Sequence, residues 1–590
     1  MSGMWARRYR ESNSTISSNA ETPYPTLLSK QSGISASYSL SPDPRQWGSD
    51  LSVNLVEPDD DLHNPIRGFS SVSVERGGNF CSARGVANFG CLFILGVGLI
   101  TLFAGYPMIS HFTKTQPTTQ GGFNLGGINA TGQIPSLPGN WGLIDLETPS
   151  IAYKMPAWTP GISSELQLVF SDEFNTDGRT FYPGDDPYWE AVDLHYWQTN
   201  NLEWYDPSAI TTQNGSLVIT LSATPNHDLN YMGGMVTTWN KFCFTGGYIE
   251  TRVQLPGANN VVGLWPAVWT MGNLGRAGYG ASLEGMWPYT YDTCDVGTAP
   301  NQTFNGLPAA AVTEGDPYNN NHLSFLPGQR LSRCTCKGES HPGPVHTDGS
   351  YVGRAAPEID VFEALVNADD LAGQVSQSSQ WAPFNANYFW KNTSNNLVIY
   401  DNTATQFNTY IGGATQMTTS ALTWTDPNSY ELNGQGFSIY GFEYKTGVGL
   451  SAMPVRSTGN SSPSTQYITW ISDNKAAWTF RAPGMDADPT VEVSARPVPQ
   501  EPMYIIINLG ISENFGKVDF EHLTFPTHMK VDYIRVYQPS DAINYGCNPP
   551  DFPTQDYINT YIEAYTNPNL TTWVDDYKQP FPKNSFLGQC

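Results

Sequence analysis

Between residues 160 and 540 short apolar runs alternate with clusters of Gly, Pro, Asn and Asp, the rhythm of strands rather than helices. The runs at 168–174, 216–221, 248–253, 263–269, 437–444, 467–470, 504–509 and 531–537 are rich in β-branched and aromatic residues. Such punctuation predicts an all-β domain, a sandwich or jelly roll. One interruption, 273–356, is Gly- and Asn-rich and far longer than an ordinary loop; it is expected to wall one end of a cleft. Outside this body the patterns change. Residues 1–85 are rich in Ser, Asn and Pro without a sustained period, which predicts a disordered tail. From Val86 to Ser110 no residue is charged, and a bilayer span takes about 20 apolar residues. A single transmembrane signal anchor over 86–110 is therefore expected, too deep in the chain for a cleaved signal peptide. Arg67, Arg76 and Arg84 precede it and only Lys114 follows closely. That asymmetry predicts a cytosolic tail and a luminal or extracellular body in the secretory pathway. Residues 111–159 read as a stalk, and 541–590 as a Pro-, Tyr- and Asn-rich extension that leaves the sandwich.

Composition narrows the function. Net charge is −25, which argues against nucleic acid as a partner because phosphate backbones call for a basic footprint. Aromatic residues make up 13% of the chain, with 17 Trp and 31 Tyr. Most belong in a core, while a minority on a cleft would carry the C–H faces of sugar rings. No metal-ligand spacing stands out among the scattered His, and Cys334-Thr335-Cys336 has no second pair. Six cysteines follow the expected anchor: Cys243, Cys294, Cys334, Cys336, Cys547 and Cys590. An oxidising compartment favours pairing them, with Cys547 and Cys590 tethering the C-terminal extension. Cys81, next to the anchor, is a candidate for acylation. Asn129, Asn214, Asn301, Asn392, Asn460 and Asn569 head glycosylation sequons compatible with a luminal body.

Against only 14% charged residues, Glu358-Ile359-Asp360-Val361-Phe362-Glu363 sets three carboxylates within one short run. Retaining cleavage of a glycoside needs two carboxyl groups about 5–5.5 Å apart and no cofactor, one attacking the sugar and one donating a proton. A third acid between them positions the nucleophile and, by repulsion, keeps a partner protonated. Geometry decides whether this works. In a helix started by Pro357 and closed near Gly373, with Ile359, Phe362 and Val366 as its apolar face, Glu358 and Glu363 would point about 140° apart. In a regular strand, positions five apart also lie on opposite faces. The three acids converge only if a β-bulge absorbs one residue between Asp360 and Glu363.

The segment resembles the bulged E-x-D-x-x-E strand of laminarinase-like glycoside hydrolases of family 16. LVFSDEF (168–174) looks like that family's opening strand, and GLWPAVW (263–269) like its cleft floor. NLG (508–510) and VDYIRVY (531–537) look like its last strands. The runs FYPGDDPYWEAVDLHYW (181–197), NNLEWYDP (200–207), WNKFCFTGGYIE (239–250) and MGNLGRAGYGASLEGMWPY (271–289) resemble the fungal β-glucan-synthesis-associated membrane proteins, implicated in cell-wall β-1,6-glucan. The resemblance implies a jelly roll over 160–540 that acts on β-1,6- or β-1,3-glucan, or a non-catalytic glucan-binding scaffold on the same cleft. It assigns Glu358 as nucleophile, Glu363 as acid/base and Asp360 as the assisting carboxylate, although from spacing alone either Glu fits either role. Trp265 and Trp269, four apart in a strand, share one face; with Trp204 they are equally cleft platforms or core. Glu203 resembles a sugar-binding position, its alternative being a solvated loop acid. Many family members carry a His on the strand after the acids. Here the stretch 374–381 has none, and Gln377 or Gln380 is expected to take over its hydrogen bond.

Overall fold

The computed structural model describes residues 83–106, 108, 142–315, 317, 320–383, 390–413, 415–447 and 465–590. The chain divides into two compact units, 1–115 and 116–590. The tail, Cys81, Asn129 and Asn460 lie outside the described residues. In the first unit, Ala83–Ile100 is an α-helix followed by a π-turn over Thr101–Gly105. Among the described residues no helix is long and apolar enough to cross a membrane; the span expected over 86–110 includes residues 107, 109 and 110, which lie outside them. Regular α-helix stops at Ile100, so its 18 residues reach about 27 Å.

The second unit is a sandwich of two sheets. One sheet runs in the order Lys154–Pro156, Glu165–Asp172, Thr527–Pro539, Gly247–Gln254, Ser438–Lys445, Tyr467–Ser472, Lys475–Arg481, Leu397–Ile399. The other runs Thr405–Phe407, Gln416–Trp424, Ala372–Trp381, Glu358–Asn367, Leu264–Gly272, Met503–Ile511, Tyr231–Thr237, Glu203–Tyr205, Leu194–His195. Pairing is antiparallel except between Glu203–Tyr205 and Tyr231–Thr237. Alternation explains the layers. Ile505, Ile507, Leu509 and Ile511 join Phe442, Trp470, Val531 and Ile534 in the core between the sheets.

The sandwich begins earlier than its apolar pattern suggests. Residues 142–159, expected in the stalk, pack on it: Lys154–Pro156 pairs with Glu165–Asp172, and Asp145 accepts from the Glu173 amide at 3.0 Å. An edge strand of three residues is too short to show a period. The second sheet is buried on both faces at its centre. Ala267, Trp269, Met271, Tyr504 and Ile506 point away from the first core into a second one. That core is completed by Leu274, Ala281 and Met286 of the insertion and by Tyr557, Tyr565 and Trp573 of the C-terminal extension. The extension therefore does not leave the sandwich but folds back over it. Cys243–Cys547, Cys294–Cys334 and Cys336–Cys590 are disulfide-bonded.

Candidate active site

Leu264–Gly272 and Glu358–Asn367 are adjacent antiparallel strands, so the insertion is the connection of a long hairpin. Glu358–Asn367 is a strand with a bulge. Asp360 faces Ser378 and Glu363 faces Ser376, leaving Val361 and Phe362 together opposite Gln377. Both Val361 and Phe362 are buried in the core between the sheets. Spending two successive apolar residues on the core returns Glu363 to the face that carries Glu358 and Asp360. Main-chain hydrogen bonds fix this shape from several sides. The Ile359 carbonyl accepts from the Thr270 hydroxyl (2.9 Å), that of Asp360 from the Trp470 indole (2.8 Å) and that of Val361 from the Gln377 amide (3.0 Å).

Each carboxyl has its own partners. Ser378 Oγ (2.6 Å) and Gln380 Nε2 (3.1 Å) donate to Asp360 Oδ2, and Thr418 donates to Gln380 Oε1. Trp265 Nε1 donates to Glu363 Oε1 at 3.1 Å, its ring stacked on Phe515 at 4.2 Å. Trp287 Nε1, from the insertion, donates to Glu358 Oε2 at 2.5 Å. Asp360 Oδ1 is buried with no amide or hydroxyl donor, and the Glu358 carboxyl lies within hydrogen-bond reach of Asp360. One proton held between the two carboxyls would satisfy both.

Burial and crowding raise all three proton affinities. Glu363 is pushed up to about 8 by burial and by the Asp360 charge, against the Trp265 hydrogen bond. Asp360 rises only to about 6, because burial is offset by Ser378, Gln380 and Glu358. Glu358 lies well above the carboxylate range through burial and the Asp360 charge, against the Trp287 hydrogen bond. Burial and mutual repulsion thus favour the protonated forms of Glu363 and Glu358 over those of ordinary carboxyls. Such a set can protonate a leaving oxygen and attack an acetal carbon from nearby.

The flanking candidates divide. Trp265 meets Glu363. Trp269 is buried on the same face and donates to Asn508 Oδ1 at 2.7 Å. Glu203 is no solvated loop acid: it is fully buried on a strand, accepts from Asn201 (2.6 Å) and the Ile511 amide (2.8 Å), and burial pushes it up to about 8. Trp204 is not brought to the acids. Strand alternation turns it away from Glu203 and Tyr205, to stack on His227 at 3.6 Å and donate to Asp193. Gln377 is also turned away, into the core, where it donates to the Val361 and Ile471 carbonyls; Gln380, with Ser378, reaches Asp360. Asn214, Asn392 and Asn569 are exposed and Asn301 half-buried.

Sequence reasoning missed Ser378, Trp287 and the network of Asn201, Tyr205 and Asn508 around Glu203. Parity on the strand Ala372–Trp381 would have found Ser378, which lies on the face of Gln380 and directly opposite Asp360. Nothing in the sequence signals that Trp287 reaches back to Glu358.

A family model described as "Beta-glucan synthesis-associated protein SKN1/KRE6/Sbg1" matches residues 49–590. The chain is similar to "Beta-glucan synthesis-associated protein KRE6" of Candida albicans, 38% identical over 98% of this chain and 72% of that protein. It is similar over 23% of its length, at 31% identity, to 31% of "Endo-1,3-1,4-beta-glycanase EglC" of Rhizobium meliloti. Among solved structures, the catalytic domain of an endo-1,3-beta-glucanase (laminarinase) from Thermotoga petrophila aligns over 64% of this chain and 99% of its own. Identity there is 18% and the TM-score 0.35; at that score the likeness carries no argument, and the fold rests on the strand pairing.

Proposed function

Because the chain belongs to the beta-glucan synthesis-associated SKN1/KRE6/Sbg1 family, we propose that it is a retaining β-glucan glycosidase or transglycosylase that builds or remodels cell-wall β-1,6-glucan. The observation that carries this reading is the bulge at Val361 and Phe362, which turns Glu358, Asp360 and Glu363 to one face, where burial and the Asp360 charge raise the proton affinity of Glu363. Glu363 donates its proton to the departing glycosidic oxygen. Glu358 attacks the anomeric carbon and forms a glycosyl ester while the shared proton resides on Asp360. Glu363, now ionised, takes the proton of the next hydroxyl, whose oxygen replaces Glu358. Water as that acceptor gives hydrolysis, and a sugar hydroxyl gives transfer. Three disulfides support an oxidising location, the secretory lumen or the cell exterior.

A second reading, a non-catalytic glucan-binding scaffold, draws on the high proton affinity of Glu358, which leaves it neutral in the empty cleft. Incubation with defined β-1,3- and β-1,6-gluco-oligosaccharides, followed by product mass analysis, separates the two. Longer or shorter products that fall about 10²–10⁴-fold in Glu363→Gln, and at least as far in Glu358→Gln, support the enzyme. Retained binding with no product in the wild type supports the scaffold.

A further inference from the structure

We propose that Trp287 is a positioning residue that holds the Glu358 carboxyl and favours its ionised form against burial, and that the C-terminal extension is the clamp keeping Trp287 in place. The catalytic consequence rests on the reading of Glu358 as nucleophile; the electrostatic one does not. Burial and the two neighbouring acids oppose a negative charge on Glu358, and no cation among the described residues faces it to offset them. Asp360 and Glu363 come from its own strand, Tyr196 from the segment before Glu203, and Tyr504 from the strand Met503–Ile511. None of these is a cation. Among the described residues, Trp287 is the side chain that donates to a Glu358 carboxylate oxygen, at 2.5 Å. A hydrogen bond to the ionised form lowers proton affinity, opposing the burial and repulsion that raise it.

Trp287 comes from the insertion, not from the sandwich, so something must fix it. Its amide donates to the Leu283 carbonyl at 3.0 Å, closing the turn after the short helix Gly280–Leu283. That helix is gripped by the extension. The Ala281 amide donates to the Leu570 carbonyl at 2.9 Å, and Glu284 Oε2 accepts from the main-chain amides of Trp573 (2.5 Å) and Val574 (3.3 Å). Arg330, whose amide donates to the Gly285 carbonyl at 2.7 Å, lies 3.7 Å over the Trp573 ring. The Cys336–Cys590 disulfide ties the end of the extension back to the insertion.

The test is an infrared pH titration of the full chain, with the protonated-carboxyl band of Glu358 assigned by its loss in Glu358→Gln. Trp287→Phe keeps an aromatic ring and removes the N–H. Benzothienylalanine at 287 preserves the bicyclic shape without the N–H, and replaces Trp287→Phe if that variant does not fold. Either change should raise the Glu358 proton affinity about tenfold or more, a shift of at least one pH unit. The acidic limb of kcat/KM should move to higher pH by the same amount, with the alkaline limb left in place. Glu284→Ala should shift the titration in the same direction by less. An unchanged Glu358 midpoint in both N–H-deleted proteins would overturn the positioning role. An unchanged midpoint in Glu284→Ala would overturn the clamp. A wild type without activity would refute the enzymatic reading while the titration still decides the role of Trp287.

Discussion

The two faces of the central sheet carry two cores made by different means. Between the sheets, most of the core comes from inward positions of strands throughout the sandwich, with loop residues such as Trp189, Tyr289 and Tyr291 filling in around them. On the opposite face, strand residues such as Ala267, Met271 and Ile506 are covered by loops, short helices and the chain's end. Periodic burial supplies most of the first. The second is held by the Cys243–Cys547 disulfide and by buried arginines. Arg354, fully buried, pairs with both Glu501 oxygens at 2.8 and 2.7 Å and donates to the Gly343 and Pro553 carbonyls. A core assembled from irregular chain needs such directional bonds, because its backbone groups are not satisfied by a ladder. The first core sets where the acids stand; the second brings Trp287 to one of them.

If the cores differ in this way, damage to them should spread differently. Trp470 is fully buried, stacked on Trp478 at 4.1 Å and bonded to the Asp360 carbonyl. Trp470→Ala should cost about 3–5 kcal/mol and lower hydrogen-exchange protection across both sheets. Replacing Cys243 and Cys547 together by Ser should cost about 2–4 kcal/mol, with protection lost mainly over 273–356 and 541–590. Uniform loss in the cysteine variant would show the two cores to be one cooperative unit.

Glu203 sharpens the contrast through pH. Its folded-state affinity, near 8, exceeds the ordinary 4.5 because the site is buried. A carboxyl that binds its proton more tightly when folded stabilises the fold fully below about pH 4.5, and that contribution is lost as pH rises towards 8. Glu203→Gln should flatten the stability profile over this window and gain relative to the wild type at its alkaline end. Denaturation midpoints that run parallel for the two proteins from pH 4.5 to 8 would refute the burial argument.

The strands of the sandwich were legible because their period is short and repeated. The acids were half legible. Spacing left helix, regular strand and bulge open, and the clue lies in two successive apolar residues, Val361 and Phe362, where strict alternation would put one. That Glu203 is no solvated loop acid was hidden, because its partner Ile511 lies some 300 residues away and makes it a buried strand residue. Gln377 and Gln380 were indistinguishable without the register, since the choice between them is the choice of face. Trp287 was out of reach for another reason. Its place depends on long-range contacts of Gly- and Asn-rich chain, which leave no period to read.

Gln377 offers the finest test, because it belongs to the first core yet acts on the site through main chain alone. Its amide bridges the bulge carbonyl of Val361 and the Ile471 carbonyl of the facing sheet, at 3.0 and 2.9 Å. Gln377→Leu keeps the volume roughly constant and leaves both carbonyls buried without this donor, which should cost about 1–3 kcal/mol. The bulge would then lose one of its pins, and Glu363, next beyond Phe362, should be less well aimed. Activity in Gln377→Leu should therefore fall through kcat with KM little changed, measured well below its unfolding temperature. Gln380→Leu, which removes a donor from Asp360 itself, should instead raise the Asp360 proton affinity and shift the pH profile. Full kcat in Gln377→Leu despite the stability loss would mean that the bulge holds its shape by packing of Val361 and Phe362 alone, leaving the first core independent of the chemistry on its other face.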